Sequence, residues 1–194
     1  MNVQEATTRR LPDLKERHLP ENCRETINTI LKETYGYEQF RNLEIYDDLS
    51  KGKEKLCISQ GQLIENVILE AEKAWKSETQ VDNILLTAPT GSGKSLLFQL
   101  PAIYLGKEYN LLTIVVSPLK ALIVDQVESL QELGYARVAY ASSDLSPEQK
   151  MEVYRQVREG EIDLFYLSPE LLLSYDIKHF VGERRIGLVV VDEA

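Results

Sequence analysis

Two short stretches carry residues whose types and spacing could do chemistry. In the first, Pro89-Thr90-Gly91-Ser92-Gly93-Lys94-Ser95, glycines alternate with small residues ahead of a lysine and a serine. Such glycines let the backbone turn its N–H groups toward a bound phosphate. Lys94 has the reach to contact the outer phosphates of a nucleotide, and the Ser95 hydroxyl can sit on Mg2+. Pro89, Thr90, Gly91, Ser92, Gly93, Lys94 and Ser95 are therefore the candidate nucleotide-binding residues. Ala88 stands where the usual G-x-x-x-x-G-K-[ST] spacing has its first glycine. The second stretch, Leu188-Val189-Val190-Val191-Asp192-Glu193-Ala194, ends an aliphatic run in two carboxylates. Asp192 suits the shell of a metal ion. Glu193 is placed to orient or deprotonate an attacking water. Lys94, Asp192 and Glu193 are the candidate catalytic residues, and Ser95 and Asp192 the candidate Mg2+ ligands.

These residues need a scaffold that delivers them from strand ends and helix starts. The apolar run Ile84 to Thr87 reads as a buried strand leading into the glycine loop. A helix over Lys94 to Leu105 follows, with Pro101 expected to kink it or end it early. The alternation continues: strand Leu112 to Val116, helix Leu119 to Leu133, strand Arg137 to Ala141. Ser146-Pro147-Glu148 opens the next helix, with Ser146 as N-cap and Pro147 at its first position. Then come strand Asp163 to Leu167, a short helix Pro169 to Leu173, and strand Ile186 to Val191. The near-continuous aliphatics of that last strand suggest the centre of a parallel sheet. Repeated strand–helix units imply an α/β fold, a doubly wound sheet with helices on both faces. Ligands on such sheets bind at the carboxyl ends of the strands.

Ahead of this region the pattern is helical. Met1 to Pro20 reads as a flexible leader. Ile27, Ile30 and Leu31 mark an amphipathic helix ending near Gly36. Tyr37 to Leu49 is expected to form a second short helix, with Ser50 to Lys53 as a turn. Ser59 looks like the N-cap of a third helix running to about Lys76. The resulting domain expectation is a leader over 1–20, a helical segment over 21–81 and a nucleotide-binding domain over 82–194.

Composition narrows the class of partner. The chain has 194 residues, 27% of them charged, and a net charge of −9, without the basic stripe of a bulk nucleic-acid binder. Any nucleic-acid contact must come from local loops and helix starts. Cys23 and Cys57 have no ligand-like spacing, which fits a reducing cytoplasm. No apolar run reaches the ~18 residues that would span a membrane, and the N-terminus has no signal-peptide core.

Four motifs in order now carry a resemblance. Ala88 to Ser95, then Ser117-Pro118-Leu119-Lys120-Ala121-Leu122 with Asp125-Gln126-Val127, then Tyr166-Leu167-Ser168-Pro169-Glu170, then Asp192-Glu193-Ala194, resemble the first motor domain of superfamily-2 DEAD/DEAH-box helicases. Among these the RecQ-type DNA helicases match best, through Ser95-Leu96-Leu97-Phe98-Gln99-Leu100-Pro101-Ala102 and Ser117-Pro118-Leu119. The resemblance covers roughly residues 35–194. It implies a RecA-like P-loop fold, ATP and Mg2+ as cofactors, and single-stranded or forked DNA as substrate. It also implies ATP hydrolysis coupled to 3′–5′ unwinding in an intact protein that carries a second RecA-like domain.

The family has an aromatic–Arg–Gln element that reads adenine. Tyr37, Phe40 and Arg41 keep its first part, but Glu44 stands where its glutamine belongs. The pair Gly61-Gln62 resembles the end of the same element, so Gln62 is the adenine-reading candidate; an amide can both donate and accept. Family DNA contacts map onto Ser117, Pro118, Leu119, Lys120, Ser143, Ser168, Pro169 and Glu170. The sequence stops inside the fourth motif, so the expectation is the ATP-binding part of a helicase, inactive by itself. The alternative is a nucleotide-binding module that acts through a partner without turnover.

Overall fold

The computed structural model describes residues 17–46, 55–76, 83–86 and 91–192. The chain divides into two compact units, Met1–Pro101 and Ala102–Ala194.

In the first unit, Ile27, Ile30 and Leu31 repeat at helical spacing, and α1 (Glu21–Tyr35) buries all three. It stops at Gly36, whose left-handed backbone lets its own N–H bond the Lys32 carbonyl and the Tyr37 N–H the Leu31 carbonyl. The expected second helix is not formed. Asn42–Tyr46 is instead a strand, β1, paired antiparallel with β2 (Lys55–Ser59) in register Asn42 to Ser59. The reason is local. Asn-Leu-Glu-Ile-Tyr alternates polar and apolar residues with period two, and Lys-Leu-Cys-Ile-Ser does the same. Each strand supplies the partner the other needs. The Ser50–Lys53 turn lies outside the described residues. Helix α2 (Gln60–Lys76) then follows directly, burying Leu63, Ile64, Ile68 and Ala71. Ser59 accepts from the Gly61 N–H at 3.2 Å, as an N-cap should.

The strand expected over Ile84 to Thr87 is also corrected. Residues 83–86 are irregular, with Ile84 50% and Leu85 91% exposed, and Thr87 lies outside the described residues. Apolar, β-prone residues form a strand only where another strand supplies its hydrogen bonds, and among the described residues none pairs here. Helix α3 (Leu96–Tyr109) contains Pro101 and continues past the expected end at Leu105 to Tyr109. Its apolar residues are buried on every side, so packing outweighs the missing hydrogen bond of the proline.

The second unit holds a four-stranded parallel sheet in the order β4-β5-β3-β6. Its strands are β3 (Leu112–Val116), β4 (Val138–Ala141), β5 (Leu164–Leu167) and β6 (Ile186–Val191). Helices α4 (Lys120–Glu132) and α5 (Pro147–Arg158) make the crossovers on either side of β4, and α6 (Pro169–Ser174) and α7 (Ile177–Val181) lead into β6. Helix α5 begins as the sequence predicts, with Ser146 and Gln149 forming a reciprocal capping box around Pro147. β3 and β5 are wholly buried. Among the described strands β6 pairs with β3 alone rather than lying between two neighbours, and Val189 is 58% and Val191 65% exposed. The core includes Ile114, Val116, Tyr154, Phe165 and Phe180, with the Tyr154 and Phe180 rings edge-to-face at 5.2 Å.

The N-terminal ends of the strands are fixed by a buried ion cluster. Asp163, 2% exposed, accepts from Arg137 Nε at 2.6 Å, from Arg184 Nη2 at 2.8 Å and from the Tyr135 hydroxyl at 3.2 Å. A carboxylate buried among two guanidiniums is tolerable because its lone pairs are filled. The opposite ends of the strands are left for other work. None of the described helices is long and apolar enough to cross a membrane.

Candidate functional site

The glycine loop sits at the entry of α3. Gly91 and Gly93 have φ of +79° and +80°, the left-handed region that suits glycine and turns successive N–H groups to one side. Among the described residues nothing stands within 4 Å of where a side chain on Gly91 would project. Lys94 and Ser95 are half-buried in the turn before α3, and the Lys94 and Ser95 carbonyls already accept from Leu97 and Gln99, both at 2.9 Å. The Leu97, Phe98 and Gln99 N–H groups bond within this turn, and the positive end of the dipole of a fourteen-residue helix lies at Lys94 and Ser95. The Ser92 hydroxyl is enclosed and pairs with no described group. Left-handed glycines, a lysine, a serine and a helix N-terminus are a donor set that fits a polyphosphate with Mg2+. Pro89 and Thr90 lie outside the described residues.

The loop rests on a residue the sequence reading passed over. Gln60, 2% exposed, donates from Nε2 to the Ser92 carbonyl at 3.2 Å. Its Oε1 accepts from the Arg41 N–H at 3.2 Å. Gln62 lies on the same first turn of α2, half-buried, and its carbonyl accepts from Asn66 at 2.8 Å. The first part of the aromatic–Arg element is assembled too: the Arg41 guanidinium lies over the Tyr37 ring, 5.9 Å from its centroid. Nothing in the sequence marks Gln60 until β1 and β2 are seen to close a hairpin, which sets Arg41 opposite it.

In the second unit the expected contact residues converge. Ala141 is level with Leu167, Leu167 with Val116, and Val116 with Val191. The residues leaving the four strands are therefore Ser142, Ser168, Ser117 and Asp192, side by side at the carboxyl end of the sheet. Strand spacing of about 4.8 Å sets the interval between them. The Ser117 N–H donates to the Leu167 carbonyl at 3.1 Å, and the Asp192 N–H to the Val116 carbonyl at 2.9 Å, which anchors the row. The Ser117 hydroxyl is buried and meets no described partner. Ser168 caps α6 by accepting from Leu171 at 3.3 Å, with Pro169 at the first helical position and Glu170 exposed behind it.

Pro118, Leu119 and Lys120 are exposed at the start of α4. Lys120 Nζ donates to the Ser143 hydroxyl and to Asp144 Oδ1, the latter at 3.0 Å. Ser143 is thus a partner of Lys120. Asp144 was not anticipated; the Lys120 ammonium holds its carboxyl below the usual carboxylate range. Glu170 is held low as well, by its own backbone N–H, by the Ser168 hydroxyl and by the nearby Lys120 charge. Glu193 lies outside the described residues.

The comparisons point the same way. The family model described as DEAD/DEAH box helicase matches residues 69–194. "ATP-dependent DNA helicase RecQ" of Synechocystis is 32% identical over 173 residues, covering 88% of this chain and 30% of that protein. "ATP-dependent DNA helicase Q-like 5" of Arabidopsis thaliana is 33% identical over 171 residues, covering 88% of this chain and 15% of the relative. RecQ of Bacillus subtilis is 31% identical over 166 residues, covering 86% of this chain and 23% of the relative. The chain thus spans less than a third of the length of these relatives. A parallel α/β sheet flanked by helices, with a glycine loop opening α3 and a strand ending in Asp192, is the RecA-like arrangement, and the chain belongs to the DEAD/DEAH box helicase family, within which it is similar to RecQ-type helicases.

Proposed function

We propose that this chain is the ATP-binding part of a RecQ-type DNA helicase that hydrolyses ATP to unwind DNA in the 3′–5′ direction. The observation that carries the reading is the row Ser142, Ser168, Ser117 and Asp192 at the carboxyl ends of adjacent strands. Hydroxyls and helix starts on one side of that row suit a nucleic-acid backbone, and the acid at its end suits nucleotide chemistry.

On this reading Gly91 and Gly93 present backbone N–H groups to the phosphates, and the Lys94 ammonium offsets the charge of the outer ones. Ser95 and Asp192 are the residues that would hold Mg2+. Bound there, the metal would withdraw charge from the phosphate oxygens. Glu193 orients the attacking water and takes its proton. Gln62 reads adenine by paired amide hydrogen bonds. Ser117, Pro118, Leu119, Lys120, Ser143, Ser168, Pro169 and Glu170 track single-stranded or forked DNA. A second RecA-like domain in the intact protein supplies the arginine that completes phosphoryl transfer, an effect worth about 10³–10⁵ in rate. The reading places the intact protein in the cytoplasm.

The test uses the intact protein that contains this chain. It should unwind a duplex with a 3′ single-stranded tail when given ATP and Mg2+, and Lys94→Ala should abolish unwinding. Unwinding that persists in Lys94→Ala, or none in the wild type on either tail, would overturn the proposal.

A further inference from the structure

We infer that Gln60 is a positioning residue for the glycine loop, coupling that loop to the base of the β1–β2 hairpin. The inference rests on the nucleotide-binding reading of the loop but concerns a residue outside it.

Three contacts meet at this side chain. The Gln60 N–H donates to the Arg41 carbonyl at 2.9 Å, and the Arg41 N–H returns a bond to Gln60 Oε1 at 3.2 Å. These two bonds close the hairpin one step beyond the Asn42–Ser59 pair. The remaining end of the amide, Nε2, donates to the Ser92 carbonyl at 3.2 Å. Chemistry fixes the orientation of the amide. A backbone N–H can only donate and a carbonyl can only accept, so Oε1 must face Arg41 and Nε2 must face Ser92. Of the two uncharged amide side chains that carry both functions on separate atoms, only glutamine has this length.

The packing around Gln60 leaves little slack. A side-chain carbon on Gly93 would lie 2.7 Å from Gln60 Nε2, so the loop is seated directly on the amide. One residue on, a carbon on Gly61 would lie 2.6 Å from the Phe40 ring. Phe40-Arg41 and Gln60-Gly61 are therefore locked face to face, and the locked pair carries the loop. Gln60 itself is buried, which raises the cost of leaving either end of its amide unmatched. The loop conformation that presents N–H groups to phosphate thus depends on a residue that need never touch the nucleotide.

The test separates a positioning role from a base-reading one. Gln60→Glu keeps an acceptor for Arg41 but sets an oxygen against the Ser92 carbonyl. Gln60→Met keeps the volume and removes both bonds. Binding of MgATP, MgGTP and Mg-tripolyphosphate is measured for the whole chain. Both variants should weaken all three ligands by a common factor of about ten, whereas Gln62→Ala should change the ATP-to-GTP ratio. Amide exchange of the ligand-free chain gives the second readout. Gly93 and Lys94 should exchange faster in both variants, and Arg41 faster only in Gln60→Met. Unchanged affinity and unchanged exchange at Gly93 and Lys94 would overturn the inference, as would an effect confined to the ATP-to-GTP ratio. If the wild type binds none of the three ligands, the nucleotide reading fails, and exchange at Arg41, Gly93 and Lys94 still decides the role of Gln60. If one variant does not fold, the other carries the test.

Discussion

Lys120 and Asp144 form an ion pair at 3.0 Å across the mouth of the sheet, joining the start of α4 to the loop after β4. On the helicase reading, the cation proposed to meet a DNA phosphate is thus held by an acid of the same surface. Binding DNA there requires Lys120 to exchange Asp144 for phosphate. Asp144→Asn should raise affinity for single-stranded DNA several-fold at low salt. Its log affinity should also fall more steeply with log salt, by about 0.7 for one added phosphate contact. Lys120→Ala should have the opposite effect. Fluorescence anisotropy across a salt series reads both; identical slopes in all three proteins would remove Lys120 from the DNA surface.

Lys94→Ala should remove most affinity for MgATP, since Lys94 is the only cation of the stretch Pro89 to Ser95. Losing a charge-assisted contact costs about 1.5–3 kcal/mol, roughly ten- to a hundred-fold in Kd. A fluorescent ATP analogue titrated in the presence of Mg2+ gives the number, and wild-type affinity in the variant would contradict the phosphate-loop reading.

Asp163→Ala should be among the most destabilising single changes in the second unit. It would strand Arg184, whose side chain is 5% exposed, and strip Arg137 of its carboxylate. Removing one partner of a buried pair costs about 3–5 kcal/mol. Urea unfolding should show that drop with an unchanged slope.

Acid should weaken the first unit through Glu70. Burial pushes its carboxyl up, but the Lys73 and Arg17 hydrogen bonds and charges outweigh this and leave it below the ordinary carboxylate value of 4.5. A depressed folded value means the stabilisation is fully present above the unfolded value. It is lost as pH falls below about 4.5 and through the folded value. Glu70→Gln should therefore flatten the acid limb of a plot of urea midpoint against pH between 6 and 3. A parallel acid limb in wild type and variant would show that the pair contributes nothing.

Much of this molecule was legible from local pattern. Ser146-Pro147-Glu148 announces α5, and Ile27, Ile30 and Leu31 announce α1, because capping and helical periodicity are properties of a few adjacent residues. The strand ends bearing Ser117, Ser168 and Asp192 were readable for the same reason: an apolar run followed by turn chemistry. What escaped is what depends on distant partners. β1 and β2 are decided by each other, so Tyr37 to Leu49 looked helical when read alone. Ile84 and Leu85 read as buried because they are apolar, yet burial is a property of what lies above them. Pro101 suggested a kink or an early end because the sequence does not reveal how thoroughly the apolar residues of α3 are buried. Gln60 and Asp144 were invisible as partners of Ser92 and Lys120, which stand 32 and 24 residues away.

The strand order has a consequence in time. β3, the first of the four described strands of its sheet to leave the ribosome, is flanked by β5 and β6, the later two of the four. No neighbour of β3 exists until α4, β4 and α5 have all emerged, and its second neighbour waits for α6 and α7 as well. At ~5–20 residues per second, β3 stays unpaired for seconds during synthesis. Its sequence Leu-Thr-Ile-Val-Val is β-prone and uncharged, the kind of segment that pairs with other chains when left open. Chaperone dependence in the cell, and yield that improves at lower growth temperature, would follow from the order of the strands alone.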